Sequence, residues 1–112
     1  MKRFDVIVSE DAKHDFKAAH DYIEFSLHNP SAADNLLDKI IEERNNLQDN
    51  PFVCSVIDDP FLKTFGLRFS IIGTYLLFYT VSIKENTVTM IRFLNGRMNW
   101  RSILRQSFTI ED

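Results

Sequence analysis

The residues best suited to chemistry are three arginines in the second half of the chain, Arg68, Arg92 and Arg97. A guanidinium is planar, permanently charged and rich in donors, so it grips phosphate or carboxylate but does not accept a proton. Lys63, Arg101 and Arg105 lie near them in sequence, and together they suit a patch for an anionic partner. Arg92 and Arg97 bracket Leu94, Asn95 and Gly96, and Trp100 follows as a core or sheet-edge plug. Groups for proton transfer are scarce. His14, His20 and His28 all fall on the first helix or its end, and His14 and His20 are six apart where helical metal ligands need three or four. His20 and Glu24 read as a solvated pair. Cys54 is alone, no glycine-rich phosphate loop exists, and no serine stands in a nucleophile elbow. The adjacent acids Glu42-Glu43 and Asp58-Asp59 diverge and read as solvated surface. No catalytic residue, cofactor or metal is assigned.

The arginines need a sheet to hold them. From Leu67 to Trp100 the chain reads as three strands of aromatic and β-branched residues. Gly73-Thr74 suits a two-residue type II′ turn, and Lys84-Glu85-Asn86 a three-residue loop closed by asparagine. Alternation puts Met90, Arg92 and Leu94 on one face and Ile91 and Phe93 on the other. Phe4 to Val8 is a short first strand. Ser9 then caps a helix with an apolar stripe at Ala12, Phe16, Ala19 and Ile23, widened by Tyr22 and Leu27. Asn29-Pro30 starts a second helix with Ala33, Leu36, Leu37, Ile40, Ile41 and Leu47 on its apolar face. Pro51 to Phe65 is a loop pinned by large apolar side chains, Asn99 to about Arg105 a short helix, and Phe108 to Asp112 a frayed tail.

The 112 residues suit one domain, 1–112, and the 45% hydrophobic content suits a globular one. No apolar run approaches the ~18 residues of a membrane span, so no membrane role is expected. The solitary cysteine suits a cytoplasmic location. Charge is split: Ser9 to Asn50 holds ten acids against four bases, and Phe61 to Arg105 seven bases against one acid. A basic sheet end and an acidic helical end are expected. The fold class is α+β, ordered β-α-α-β-β-β: an antiparallel sheet of about four strands with a helical hairpin on one face.

Three stretches carry a family resemblance: His28 to Ala33, Gly73 to Val81, and Val88 to Trp100. In this order and spacing they resemble the RelE/ParE superfamily of toxins from bacterial type II toxin–antitoxin systems. The last is similar to the ParE-like, plasmid-stabilisation ending, with Asn95 and Asn99 in place of its His and Asp. The resemblance implies a toxin neutralised by a cognate antitoxin, with operator DNA met only through that antitoxin. For the target it implies DNA gyrase, or alternatively the ribosome and its mRNA, cut by a RelE-like endoribonuclease. A degenerate, non-toxic regulatory member is a third possibility. The nuclease branch carries an arginine where this chain has Leu76 and a late tyrosine where it has only Trp100 and Phe108. The candidate target- or antitoxin-binding residues are Arg68, Arg92, Asn95, Arg97 and Trp100.

Overall fold

The computed structural model describes residues 3–108. The elements are β1 (Asp5–Val8), α1 (Glu10–Asp21) prolonged by a π-turn (Tyr22–Ser26), α2 (Pro30–Asp49), a 3-10 turn (Leu62–Phe65), β2 (Arg68–Ile72), β3 (Tyr75–Ser82), β4 (Thr87–Asn95) and α3 (Trp100–Phe108). They form an α+β fold around a four-stranded sheet of order β1-β4-β3-β2. Strands β2, β3 and β4 are antiparallel neighbours, whereas β1 runs parallel to β4. The sheet is therefore mixed, not antiparallel throughout. Turn chemistry fixes direction only between strands joined by hairpins, and β1 is separated from β4 by most of the chain.

Local signals act as their chemistry demands. The Ser9 hydroxyl accepts from the Ala12 amide at 3.0 Å, and the Asn29 side chain accepts from the Ala32 amide at 3.1 Å. Each satisfies an orphan donor at a helix start. Ile72 pairs with Tyr75 across Gly73-Thr74, and Gly73 takes φ 63°, a region open to it because it has no Cβ. The next loop has four residues rather than three, because Ser82 pairs with Thr87; Asn86 closes it at φ 54°.

Both faces of the sheet are covered. On one, the α1–α2 hairpin packs Ala12, Ala19, Leu36, Ile40 and Leu47 against Leu77, Tyr79, Val88, Met90 and Phe93. Tyr22, Leu27, Leu37 and Ile41 stay largely exposed, so the buried helical stripes are narrower than the apolar sequence pattern. On the other face, Ile57, Leu62, Leu67, Phe78, Leu94 and Leu104 form a second core, joined by Trp100 and Phe108. Phe108 lies within α3 and stacks on Phe65 at 4.4 Å, so it is not part of a tail; residues 109–112 lie outside the described residues.

A β-bulge sets the phase of β4. Tyr79 pairs with Met90 and Phe78 with Arg92, leaving Ile91 as the extra residue. Met90 and Phe93 therefore both face the helical hairpin, while Ile91 and Leu94 join the second core. This corrects the simple alternation. At the same place β1 ends, its last partner being Met90. The Asp15 carboxylate takes over that edge. It accepts from Arg92 Nε at 2.7 Å, from Arg92 Nη2 at 3.1 Å and from the Phe93 amide at 2.9 Å.

Two stability results are expected. Asp15→Ala leaves a half-buried guanidinium and an edge amide unpaired and should cost about 3 kcal/mol. A double-mutant cycle with Arg92→Ala, read by urea melts, checks this, because the pair predicts strong non-additivity. The second concerns Tyr79, whose buried hydroxyl donates to the Pro51 carbonyl at 2.9 Å. Burial pushes its phenol well above the ordinary range. The folded state then keeps a proton that the unfolded state releases above pH ~10, so this contribution is intact below that pH and falls as pH rises. Tyr79→Phe should cost about 1 kcal/mol at neutral pH. Its deficit against the parent should narrow in melts above pH ~10; parallel curves would show that Tyr79 does not cause the alkaline loss.

Candidate functional site

Past the end of β1, the last residues of β4 and the turn after them face α1 across a cleft of about 490 Å³. Asp15, Ala18, Ala19 and Tyr22 line it from the helix, Tyr75 from β3, and Arg92 to Asn95, Arg97 and Met98 from β4 and its turn. The walls are mostly apolar. Tyr75 stacks on Phe93 at 4.8 Å between centroids, and Phe16 closes on Phe93 at 4.9 Å. Tyr22 and Met98 form an exposed rim, at 54% and 48% exposure.

The turn after β4 aims the site's polar groups. Asn95 Oδ1 accepts from the Arg97 amide at 2.9 Å, and its carbonyl accepts from the Met98 amide at 3.0 Å. The Gly96 amide donates to the Thr74 carbonyl at 2.8 Å. A Cβ on Gly96 would stand 3.3 Å from that oxygen, so glycine permits the close approach. Arg97 is thereby held outward, and no acid pairs with its side chain among the described residues. Burial raises the Tyr75 phenol above its ordinary range, with the nearby Tyr22 phenol adding to the effect against a lowering bond from Asn95. Tyr75 therefore stays protonated and offers a donor, not a base.

The five sequence candidates separate. Asn95 and Arg97 meet in the cleft. Arg92 also lines it, but its charge is matched by Asp15, and its Nη1 reaches Ser107 Oγ of α3 at 3.4 Å. Arg68 lies at the far end of β2, bonded to the Cys54 carbonyl with its guanidinium 5.1 Å from the Phe52 ring. Trp100 packs on Phe78 and Phe69 in the second core, with the Arg101 guanidinium 4.3 Å from its ring centroid. The basic end is also less open than sequence counting suggests. Asp59 is buried and not a solvated acid: it accepts from the Phe61 and Leu62 amides and lies 3.4 Å from Arg105 and 3.7 Å from Arg101. Those amides, Leu62 foremost, hold its carboxyl below the usual range.

Tyr22, Tyr75, Met98 and Asp15 are site residues that sequence reading missed. Tyr75 looked like strand filling and Tyr22 like a helical stripe. Asp15 meets its partner 77 positions away, which no local pattern marks. Leu76, where the nuclease branch would carry arginine, packs into the second core. Away from the cleft, His20 lies 3.6 Å from both Asp21 and Glu24 and 3.4 Å from Asp34, so the expected solvated pair is part of a larger, partly buried cluster; Lys17 already engages Asp21.

Comparison with known proteins places the fold. A family model described as the ParE toxin of the type II toxin–antitoxin system parDE matches residues 6–100. The structure is similar to one from the chromosomal ParDE toxin–antitoxin system of P. aeruginosa, with TM-score 0.65, 18% identity, and coverage of 83% of this chain and 96% of that one. It is also similar to one from the RelBE2 toxin–antitoxin complex of Mycobacterium tuberculosis, with TM-score 0.58, 17% identity, and coverage of 83% and 98%. Among curated proteins, no sequence matches at a significant level. With the family model spanning β1 to the start of α3, this chain belongs to the ParE toxin family of type II toxin–antitoxin systems.

Proposed function

We propose that this chain acts in the cytoplasm as a ParE-like toxin that inhibits growth by binding and poisoning DNA gyrase, and that a cognate antitoxin neutralises it. The observation that carries this reading is the chemistry of the cleft: apolar walls, an outward arginine and a protonated phenol, with no proton acceptor poised among them. Cleaving RNA through its 2′-hydroxyl requires one group to take that proton, one to steady the phosphate and one to protonate the leaving oxygen. Arginine supplies only the second. In the cleft, Asp15 has both oxygens committed to Arg92 and Phe93, Tyr75 keeps its proton, and the second phenol, Tyr22, stands on the exposed rim. A protein inhibitor needs only shape, apolar anchors and charge, which the cleft and its rim provide.

The similarity to ParDE and RelBE assemblies supports an antitoxin as the physiological partner. Purified protein is expected to block gyrase supercoiling or trap gyrase–DNA cleavage complexes, and to leave ribosome-bound messenger intact. Codon-positioned cuts in translated RNA, with gyrase unaffected, would reverse the assignment to the endoribonuclease alternative. Normal growth of cells containing soluble protein would instead support the non-toxic regulatory role.

A further inference from the structure

We propose that His20, Asp21 and Glu24 bind a divalent transition-metal ion at the end of α1, with Asp34 of α2 holding the imidazole in place. This site lies away from the cleft and does not depend on the toxin's target.

The tautomer of His20 carries the inference. Its Nε2 lies 3.4 Å from Asp34 Oδ1 across the helical hairpin. An ionised carboxylate only accepts, so Nε2 is a protonated nitrogen and donates. Nδ1 then faces two further carboxylate oxygens, Asp21 Oδ1 and Glu24 Oε1, each 3.6 Å away. A lone pair aimed between anionic oxygens is repelled, and a cation placed among the three atoms turns that repulsion into attraction. The imidazole is only 21% exposed, so water screens the group incompletely. Among the described residues, the cation paired with these acids is Lys17. It takes Asp21 Oδ2 and leaves Oδ1 toward the imidazole.

The spacing suits a metal. Nδ1 and the two carboxylate oxygens lie within 4.8 Å of one another. Tetrahedral ligands at about 2.1 Å from an ion stand about 3.4 Å apart. The two 3.6 Å separations are already close to that, and a small rotation of the Glu24 side chain closes the third. An imidazole with two carboxylates suits Zn2+ and its neighbours better than Mg2+ or Ca2+, which take oxygen ligands. A ligating histidine is usually oriented by a carboxylate on its far nitrogen, the position Asp34 holds. The backbone changes at the same place. α1 gives way to the π-turn at Tyr22–Ser26, where the Leu27 amide donates to the Tyr22 carbonyl at 3.1 Å. Glu24 sits in this widened turn, and π-turns within helices recur at functional sites.

A proton on Nδ1 is the competing source of positive charge, and titration separates the two. The full chain, without an affinity tag, is stripped with chelator and titrated with Zn2+ by calorimetry. One ion should bind per chain and raise the melting temperature, and excess Mg2+ should not displace it. His20→Ala and Glu24→Gln should each weaken binding by at least about tenfold, and Asp34→Ala by about tenfold through the imidazole. His14→Ala and His28→Ala should leave it unchanged. Nitrogen NMR of the parent chain should show Nδ1 of His20 as the metal-bound atom and Nε2 as protonated, a readout that needs no variant to fold. The proposal is overturned by the absence of saturable binding, which leaves the charge to a proton, or by metal on Nε2. Equal losses in the His14 and His28 variants would mark adventitious surface binding and overturn it too, as would displacement by Mg2+.

Discussion

One carboxylate decides how the sheet and its first helix fit together. Strand β1 covers only the first part of β4, and the bulge at Ile91 falls where that cover ends. A strand edge left bare so close to the core would present unpaired amides and carbonyls to whatever came near. Asp15 meets this need as an adjoining strand would, by accepting the Phe93 amide, and it neutralises Arg92 with the same two oxygens. The Ser9 hydroxyl does the complementary job on the Ile91 carbonyl. Helix α1 is thereby fastened along β4 by polar bonds as well as by the packing of Ala12 and Ala19. The cleft is what remains between them past the last of these bonds.

Arg92 ties the two faces of the sheet together. Its guanidinium holds Asp15 of α1 on one side and reaches Ser107 of α3 on the other. Asp59 acts similarly under the second core, ordering the 3-10 turn through two amides and facing Arg101 and Arg105 of α3. These two acids offset part of the positive charge that the second half of the sequence offers. A charge count along the chain describes a long-range field, whereas the pairing of individual groups describes what a partner meets at contact. The contact surface here is more apolar and more selective than the count implies.

What could be read from sequence was local. The Ser9 and Asn29 caps, the Gly73 turn, the left-handed Asn86 and the order of elements follow from bonds or torsions spanning a few residues. The direction of β1, the bulge at Ile91, the burial of Asp59 and the pairing of Asp15 depend on residues brought from far along the chain. The candidate site divides along the same line. Asn95 and Arg97 were visible because they share one turn, while Tyr22 and Tyr75 enter only when α1 is laid across the end of the sheet. Leu37 and Ile41 carry the converse lesson: an apolar residue at helical spacing is not buried unless a partner element reaches it.

The parallel pairing of β1 with β4 also governs when the molecule can exist. Asp5 pairs with Thr87, so β1 waits for β4, the last strand of this sheet in chain order, before it has a neighbour. Contacts so distant in sequence form slowly, because a long loop must close before they return any stabilisation. During translation the helical hairpin can form early, but the sheet surface that it covers is still unmade or inside the ribosome. The cleft comes later still, since its floor and outward arginine lie at the end of β4 and in the turn beyond. The surface that the cleft offers is thus missing for most of the synthesis of this domain. A partner that recognises the cleft meets a chain that has nearly finished folding.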